Sequence, residues 1–418
     1  MAREMIDSGC KYLGIIPKTW KVNKFKYYLF RRDVKNRSDC EVLSLYREHG
    51  IVIKNSRDDN HNVTSEDTSK YRYVRINDFV VNKMKAWQGS VAVSEYEGIV
   101  SPAYYVYEFS DDSYCPKYFH YLLRSAYKNE FRRLSGGIRE GQWDLSTNAL
   151  ENIIVILPPL PEQQKIAAFL DDKCAEFDSL IADIQREIEK LERLRQLVIT
   201  EAVTRGVDNS LELINSGVDW IGKIPKGWKI MHFKYCAKIK SNLVSPTKYL
   251  DFPQISPDSI EKNTGKIIDY KTVEESGIIS DNHLFFKGQI VYSKIRPTLN
   301  KVIIAPFDGL CSADMYPIEA VCNTKFLLYA MLSYYFVSQV GLVTQNRVKM
   351  PKINQDELGV MNLAIPNDDT QQKIVEYLDA RCAEFETILS EKQKQIEILQ
   401  KLKKSVIYEY VTGKKEVK

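Results

Sequence analysis

Arginine, glutamine and tryptophan gather in one short run, Arg132-Arg133-Leu134-Ser135-Gly136-Gly137-Ile138-Arg139-Glu140-Gly141-Gln142-Trp143. Arginine can bond bidentately to the edge of guanine, and glutamine to the edge of adenine. The glycines let the backbone approach a partner closely, and Trp143 can wedge or pack. A second run, Thr344-Gln345-Asn346-Arg347-Val348-Lys349, holds the corresponding place later in the chain, with Arg139 and Arg347 separated by 208 residues. Other basic tips are Lys83 and Lys85 with Trp87-Gln88, and Lys294 and Arg296 with Asn300-Lys301. Taken singly, each is an ordinary solvated loop; the pairing of the Arg139 and Arg347 loops at the repeat spacing points to recognition of DNA. The candidate contacts are Lys83, Lys85, Gln88, Arg132, Arg139, Gln142 and Trp143 in the first half. In the second half they are Lys294, Arg296, Asn300, Lys301, Gln345, Arg347 and Lys349.

No catalytic pattern accompanies them. Gly136 and Gly141 are spaced as in a phosphate-binding loop, but Gln142 follows where a lysine must reach the phosphates. No GxGxxG fingerprint and no NPP-aromatic or DPP-aromatic motif is present. The histidines His49, His61, His120, His232 and His283 have no metal-ligand spacing. Of the eight cysteines none forms a CxxC pair, so reduced thiols in a cytosolic protein are expected rather than zinc.

The elements that must position these loops occur twice. Residues 161–206 and 369–413 align with Gln163-Gln164 on Gln371-Gln372 and Glu201 on Glu409, again 208 residues apart. Such a period is the first property to seek in a sequence. In the first copy Leu170, Phe177, Ile184, Leu191 and Val198 recur every seven residues, with Cys174, Ile181 and Ile188 between them. Leu378, Phe385, Leu399 and Val406 continue the pattern in the second copy, where Lys392 interrupts it. This 3-4 spacing predicts a long helix with a coiled-coil seam. Leu180, Leu194 and Leu197 widen the stripe, so packing against more than one partner is expected. Pro161 suits a helix start, Asp368, Asp369 or Thr370 a cap, and Gly206 and Gly413 the stops. About 43 residues at ~1.5 Å each give roughly 65 Å of helix.

The repeat extends beyond the helices. SGCKYLGIIPKTWKVNKFKY at 8–27 matches SGVDWIGKIPKGWKIMHFKY at 216–235, and 145–160 matches 353–368. Between them lie mixed globular regions at about 28–157 and 236–365. Strands are predicted at 41–46, 79–84, 104–109, 289–295 and 302–305, and helices at 116–133 and 323–340. The frames agree while the tips differ, as in readers of two ligands. With 418 residues, 44% hydrophobic and 27% charged, the composition is that of a folded protein of two to four domains. The net charge of +4 is too small to hold DNA without local patches or partners. No apolar run reaches the ~20 residues of a membrane span.

SG-x3-LG-x2-P-x2-W, a variable region, PPLPEQQKIAAFLD and a long helix ending EAVTRGVD resemble the specificity subunit of type I restriction–modification enzymes. The second half departs from the pattern at Ile365-Pro366-Asn367-Asp368-Asp369-Thr370, which leaves the role of Glu162 without a counterpart. The resemblance implies an α+β chain with two target recognition domains (1–157 and 207–365) and two long antiparallel coiled-coil spacer helices (158–206 and 366–418) in an internal pseudo-twofold repeat. It further implies that each domain reads one half of a bipartite, asymmetric DNA target. Two modification subunits would methylate adenine with S-adenosylmethionine, and restriction subunits would use ATP and Mg to translocate and cleave, this chain catalysing nothing. Two other classes stay open at this point: a single-chain nuclease and a coiled-coil adaptor without DNA readout.

Overall fold

A computed structural model describes residues 3–47, 49–56, 67–137, 143–208, 210–347 and 350–417. The chain divides into two compact units, Met1–Asp183 with Lys394–Lys418, and Ile184–Gln393. Each unit combines one globular domain with the first part of one long helix and the last part of the other.

In the first unit the central sheet is antiparallel. Strand Tyr104–Phe109 lies between Leu29–Arg32 and Phe79–Asn82, and Val91–Val93 forms the far edge. Phe79, Val81, Val91 and Tyr107 point to one buried face, where Tyr118, Phe119, Leu122 and Phe131 cover them. Val80, Ala92 and Val106 point to the other, as period-two alternation requires, and meet Leu43, Leu45 and Val100. The second unit repeats this sheet with Ala237–Ile239, Met315–Ala320, Ile290–Ser293 and Val302–Ile304.

The offset between equivalent elements is 208 at both ends of the domain but 211 from Phe79–Asn82 and Ile290–Ser293 through Tyr104–Phe109 and Met315–Ala320. It returns to 208 at helices Pro116–Ser125 and Thr324–Leu332, because the second loop ahead of the helix is shorter. Upstream, the domains diverge. The second has a five-stranded sheet that includes Leu243–Val244, Asn282–Phe285 and Gly309–Cys311, where the first has the separate pairs Leu43–Tyr46 with Gly50–Ile53 and Arg72–Val74 with Gly98–Val100.

The expected single helices at 116–133 and 323–340 are each broken in two. The first becomes Pro116–Ser125 and Lys128–Leu134. The second becomes Thr324–Leu332 and Tyr334–Thr344, with Ser333 ending one helix and capping the next through the Phe336 N–H. Both second-unit helices are packed in the core. No single helix among the described residues is long and apolar enough to cross a membrane.

The long helices run Leu160–Arg205 and Asp368–Val411. The second is capped by Asn367, whose Oδ1 accepts the Thr370 N–H at 2.9 Å, and not by Asp368, Asp369 or Thr370. Asn367 alone stands immediately before the first turn with its acceptor turned back on it. Gly206 and Gly413 both adopt the left-handed conformation that ends a helix.

Within each unit the two helix parts run antiparallel. Phe169 and Tyr410 rings lie 4.5 Å apart and Asp178 pairs with Lys403 at 2.6 Å in the first unit. In the second, Lys392 pairs with Glu187 at 2.6 Å, which accommodates the interruption in the apolar pattern. Phe385 is buried; Phe177, Ile184, Leu191 and Leu399 are half-buried. The remaining seam positions have a different use. Leu170 and Val406 enter the first globular core, and Leu378 and Val198 the second. Leu180, Leu194 and Leu197, expected to pack, stay exposed.

Candidate nucleic-acid interface

The turn at Lys83–Gln88 leaves the end of strand Phe79–Asn82 and closes as a short 3-10 turn, Ala86–Gln88, ending on left-handed Gly89. The loop after helix Lys128–Leu134 comes to the same place. Leu145 donates its N–H to the Lys83 carbonyl at 3.0 Å, and Gly136 and Asp144 form a bridge. The Trp87 and Trp143 rings meet edge-on, 5.5 Å between centroids, and the Trp87 indole N–H donates to the Met84 carbonyl. Lys83 pairs with Asp144 at 3.1 Å, so its charge is compensated locally. Lys85 is exposed, Gln88 half-buried, and Arg132 exposed near the end of its helix. Two segments some fifty residues apart thus form one surface of the first domain. Arg139 and Gln142 lie outside the described residues.

The second domain repeats the junction with other side chains. Ile353 donates to the Lys294 carbonyl at 2.9 Å, the counterpart of Leu145 to Lys83, and Arg296 donates its N–H to the Pro351 carbonyl. Arg296 is exposed, with φ at 43°. Lys294 is half-buried, its ammonium 5.3 Å from the Tyr316 ring centre. Gln345 is exposed just after helix Tyr334–Thr344. Arg347 forms a forked ion pair with Glu357 and also donates to the Lys352 carbonyl. Burial works to raise the Glu357 carboxyl, but the Asn354 N–H and the Arg347 guanidinium outweigh it and hold that carboxyl below its usual range. Lys349 lies outside the described residues.

One expected contact, Asn300, is corrected, and a second, Lys301, is engaged locally. Asn300 is 1% exposed, and its Nδ2 donates to the Met331 carbonyl at 2.9 Å. The Lys301 ammonium donates to the Pro257 carbonyl at 2.7 Å. The Asn300 side chain satisfies a buried carbonyl and is withdrawn from the surface, whereas the half-buried Lys301 ammonium also lies 3.7 Å from the exposed Asp258 carboxylate.

The sequence reading also missed a set of docking residues. Buried Gln163 accepts the Cys115 N–H at 2.9 Å and donates to the Pro158 carbonyl. Gln371 does the same with Asn323 and Pro366. Asp171 takes Lys117 and the Tyr121 hydroxyl, as Asp379 takes Lys325 and Tyr329. Each domain is therefore latched to the helix that follows it. The signal was available: Gln, Asp, Lys and Tyr all recur at the 208-residue offset. Glu162, by contrast, accepts from Arg3 and the Trp20 indole, and Thr370 stands in its place in the second half.

Among the described residues no cluster of three or more His, Cys, Asp or Glu side chains is placed to hold a metal.

Comparison with known proteins defines the class. The family described as the type I restriction modification DNA specificity domain matches residues 40–190 and 225–400. The type I restriction enzyme EcoDI specificity subunit of Escherichia coli is 31% identical over 347 residues, covering 78% of this chain and 76% of its own. A putative type I restriction enzyme MjaX specificity subunit of Methanocaldococcus jannaschii is 22% identical over 97% of this chain and 96% of its own. A chain solved in work on complex assembly and conformational transition of the type I R-M system shares the fold, with a TM-score of 0.67 at 13% identity over 95% of this chain and 98% of that one. The present chain belongs to the family of type I restriction–modification specificity subunits.

Proposed function

We propose that the two globular domains read DNA, each taking one half of a bipartite, asymmetric target. The chain would direct adenine methylation and cleavage by its partner subunits without catalysing either. The observation that carries this reading is the repeated junction of turn and loop, Lys83 with Leu145 and Lys294 with Ile353, on one frame with different tips. A common frame sets the same approach to the duplex, and different side chains specify different bases. In this reading the long helices serve as the spacers between the two domains. Their exposed Leu180, Leu194, Leu197, Ile388, Ile398 and Leu402 are apolar surface available to two modification subunits. S-adenosylmethionine, ATP and Mg belong to the partners in this reading.

The test is to express the chain with its modification subunit and map methylated adenines across the host genome. A single split motif supports the reading. Metal-dependent cleavage by the isolated chain would make it a nuclease. Absence of salt-sensitive DNA binding with partners present would make it an adaptor.

A further inference from the structure

Buried Asn300 and its neighbour Lys301, bonded to the Pro257 carbonyl, lie against a segment that itself reaches the long helices. Ile260 and Ile267 bridge to form a small hairpin. At its tip Asn263 adopts φ of 57°, a left-handed conformation that asparagine tolerates better than most residues. The Asn263 carbonyl accepts from the Arg195 guanidinium of the first long helix at 3.0 Å, and its N–H donates to the Asn300 carbonyl at 3.2 Å. Arg195 is itself buried. Lys266, on the same hairpin, pairs with Glu386 of the second long helix at 2.7 Å. Gly265 fits against Leu328 and Leu332, where a Cβ would lie 3.5–3.6 Å from their methyls.

The repeat shows what is unusual here. Arg195 and Glu386 correspond to Lys403 and Asp178, which in the first unit pair directly, helix to helix. In the second unit the hairpin bonds to both members. One hydrogen-bonded path then runs from Arg195 through Asn263 to Asn300, which closes the turn that begins at Arg296.

We propose that hairpin 260–267 is a brace that carries the position of the long helices to the turn Arg296–Asn300. Arg195, Asn263 and Lys266 are then positioning residues for the second half-site. This rests on the reading of the two domains as DNA readers. A reading group is useful only where its support holds it to within a fraction of an ångström. Among the described residues, no segment of the first domain is hydrogen-bonded to Lys403 or Asp178 in this way, and those two pair with each other.

The experiment uses the full chain with its modification subunits and four variants: Arg195→Gln, Lys266→Glu, Glu386→Lys and the Lys266→Glu/Glu386→Lys swap. Methylation rates are measured on DNA with the native gap, with gaps one base pair longer and shorter, and with single changes in either half-site. Lys266→Glu and Arg195→Gln are expected to reduce preference for the native gap by about tenfold, as small misplacements do. Discrimination in the first half-site should stay unchanged, and the swap should restore the preference. Unchanged gap preference in both single variants would overturn the brace. So would an equal loss at both half-sites that the swap fails to repair. If the wild-type complex methylates without sequence preference, the DNA-reading function fails instead. The brace is then decided by hydrogen exchange in Arg195→Gln: faster exchange at 296–300 together with 260–267 supports it, and unchanged exchange at 296–300 rejects it.

Discussion

Gln163 accepts the Cys115 N–H at 2.9 Å while donating to the Pro158 carbonyl, and both bonds are closed by one buried side chain. The same two bonds recur at Gln371. Removing the amide strands a backbone donor and an acceptor. Gln163→Ala should therefore destabilise the first unit by roughly 1–3 kcal/mol for each group left unsatisfied in the interior. Gln371→Ala should do the same in the second. Urea unfolding of the two variants checks this, and an unchanged midpoint would mean that water replaces the amide.

The long helices offer a graded test of burial. Phe385 is 6% exposed, whereas Phe177 is only half-buried. Phe385→Ala should cost about 3–5 kcal/mol, and Phe177→Ala clearly less. Equal losses measured in the same denaturant titration would contradict the burial difference.

Gly98 and Gly309 occupy equivalent strand positions against a neighbouring backbone. A Cβ on Gly98 would stand 2.5 Å from the Glu41 carbonyl oxygen, and one on Gly309 would stand 2.6 Å from that of Pro253. Alanine at either site should cost roughly 1–3 kcal/mol through overpacking. The loss should appear as a lower melting temperature of the full chain.

His120 gives the first unit an acid sensitivity. Its Nδ1 accepts the Val93 N–H at 3.2 Å, so the ring is held neutral. Burial, with the Arg124 guanidinium adding to it, lowers its pKa from 6.5 to about 3. The unfolded chain thus takes up a proton near pH 6.5 that the folded chain refuses until about pH 3. This contribution to stability is complete above pH 6.5 and declines as the pH falls toward 3. His120→Gln should flatten that part of the stability–pH curve. An imidazole resonance titrating near pH 6.5 in the folded protein would refute the assignment.

Base reading should separate by half-site. Arg139→Ala is expected to relax specificity in the first half-site only, and Arg296→Ala or Arg347→Ala in the second, by about 1–3 kcal/mol for a bidentate base contact. Competition binding on DNAs altered in one half at a time is the measurement. A uniform loss with a shallower salt dependence would assign these residues to phosphate.

The sequence by itself determined the repeat, the two long helices with their glycine stops, and the strand at Tyr104–Phe109. It also identified the pairs of turn and loop that carry the differing tips. These are properties of periodicity and local propensity, which a chain displays without folding. It could not reveal that Leu170 and Val406 join one globular core while Leu378 and Val198 join the other, because the seam spacing is the same whichever apolar surface it meets. Nor could it separate Arg296, exposed, from Asn300, buried four residues later in the same basic turn. Which side of a turn faces inward depends on what packs behind it, here the segment 257–263 and the Met331 carbonyl, distant in sequence. Only the tertiary structure brought those groups together and thereby decided which polar side chains remain for a ligand.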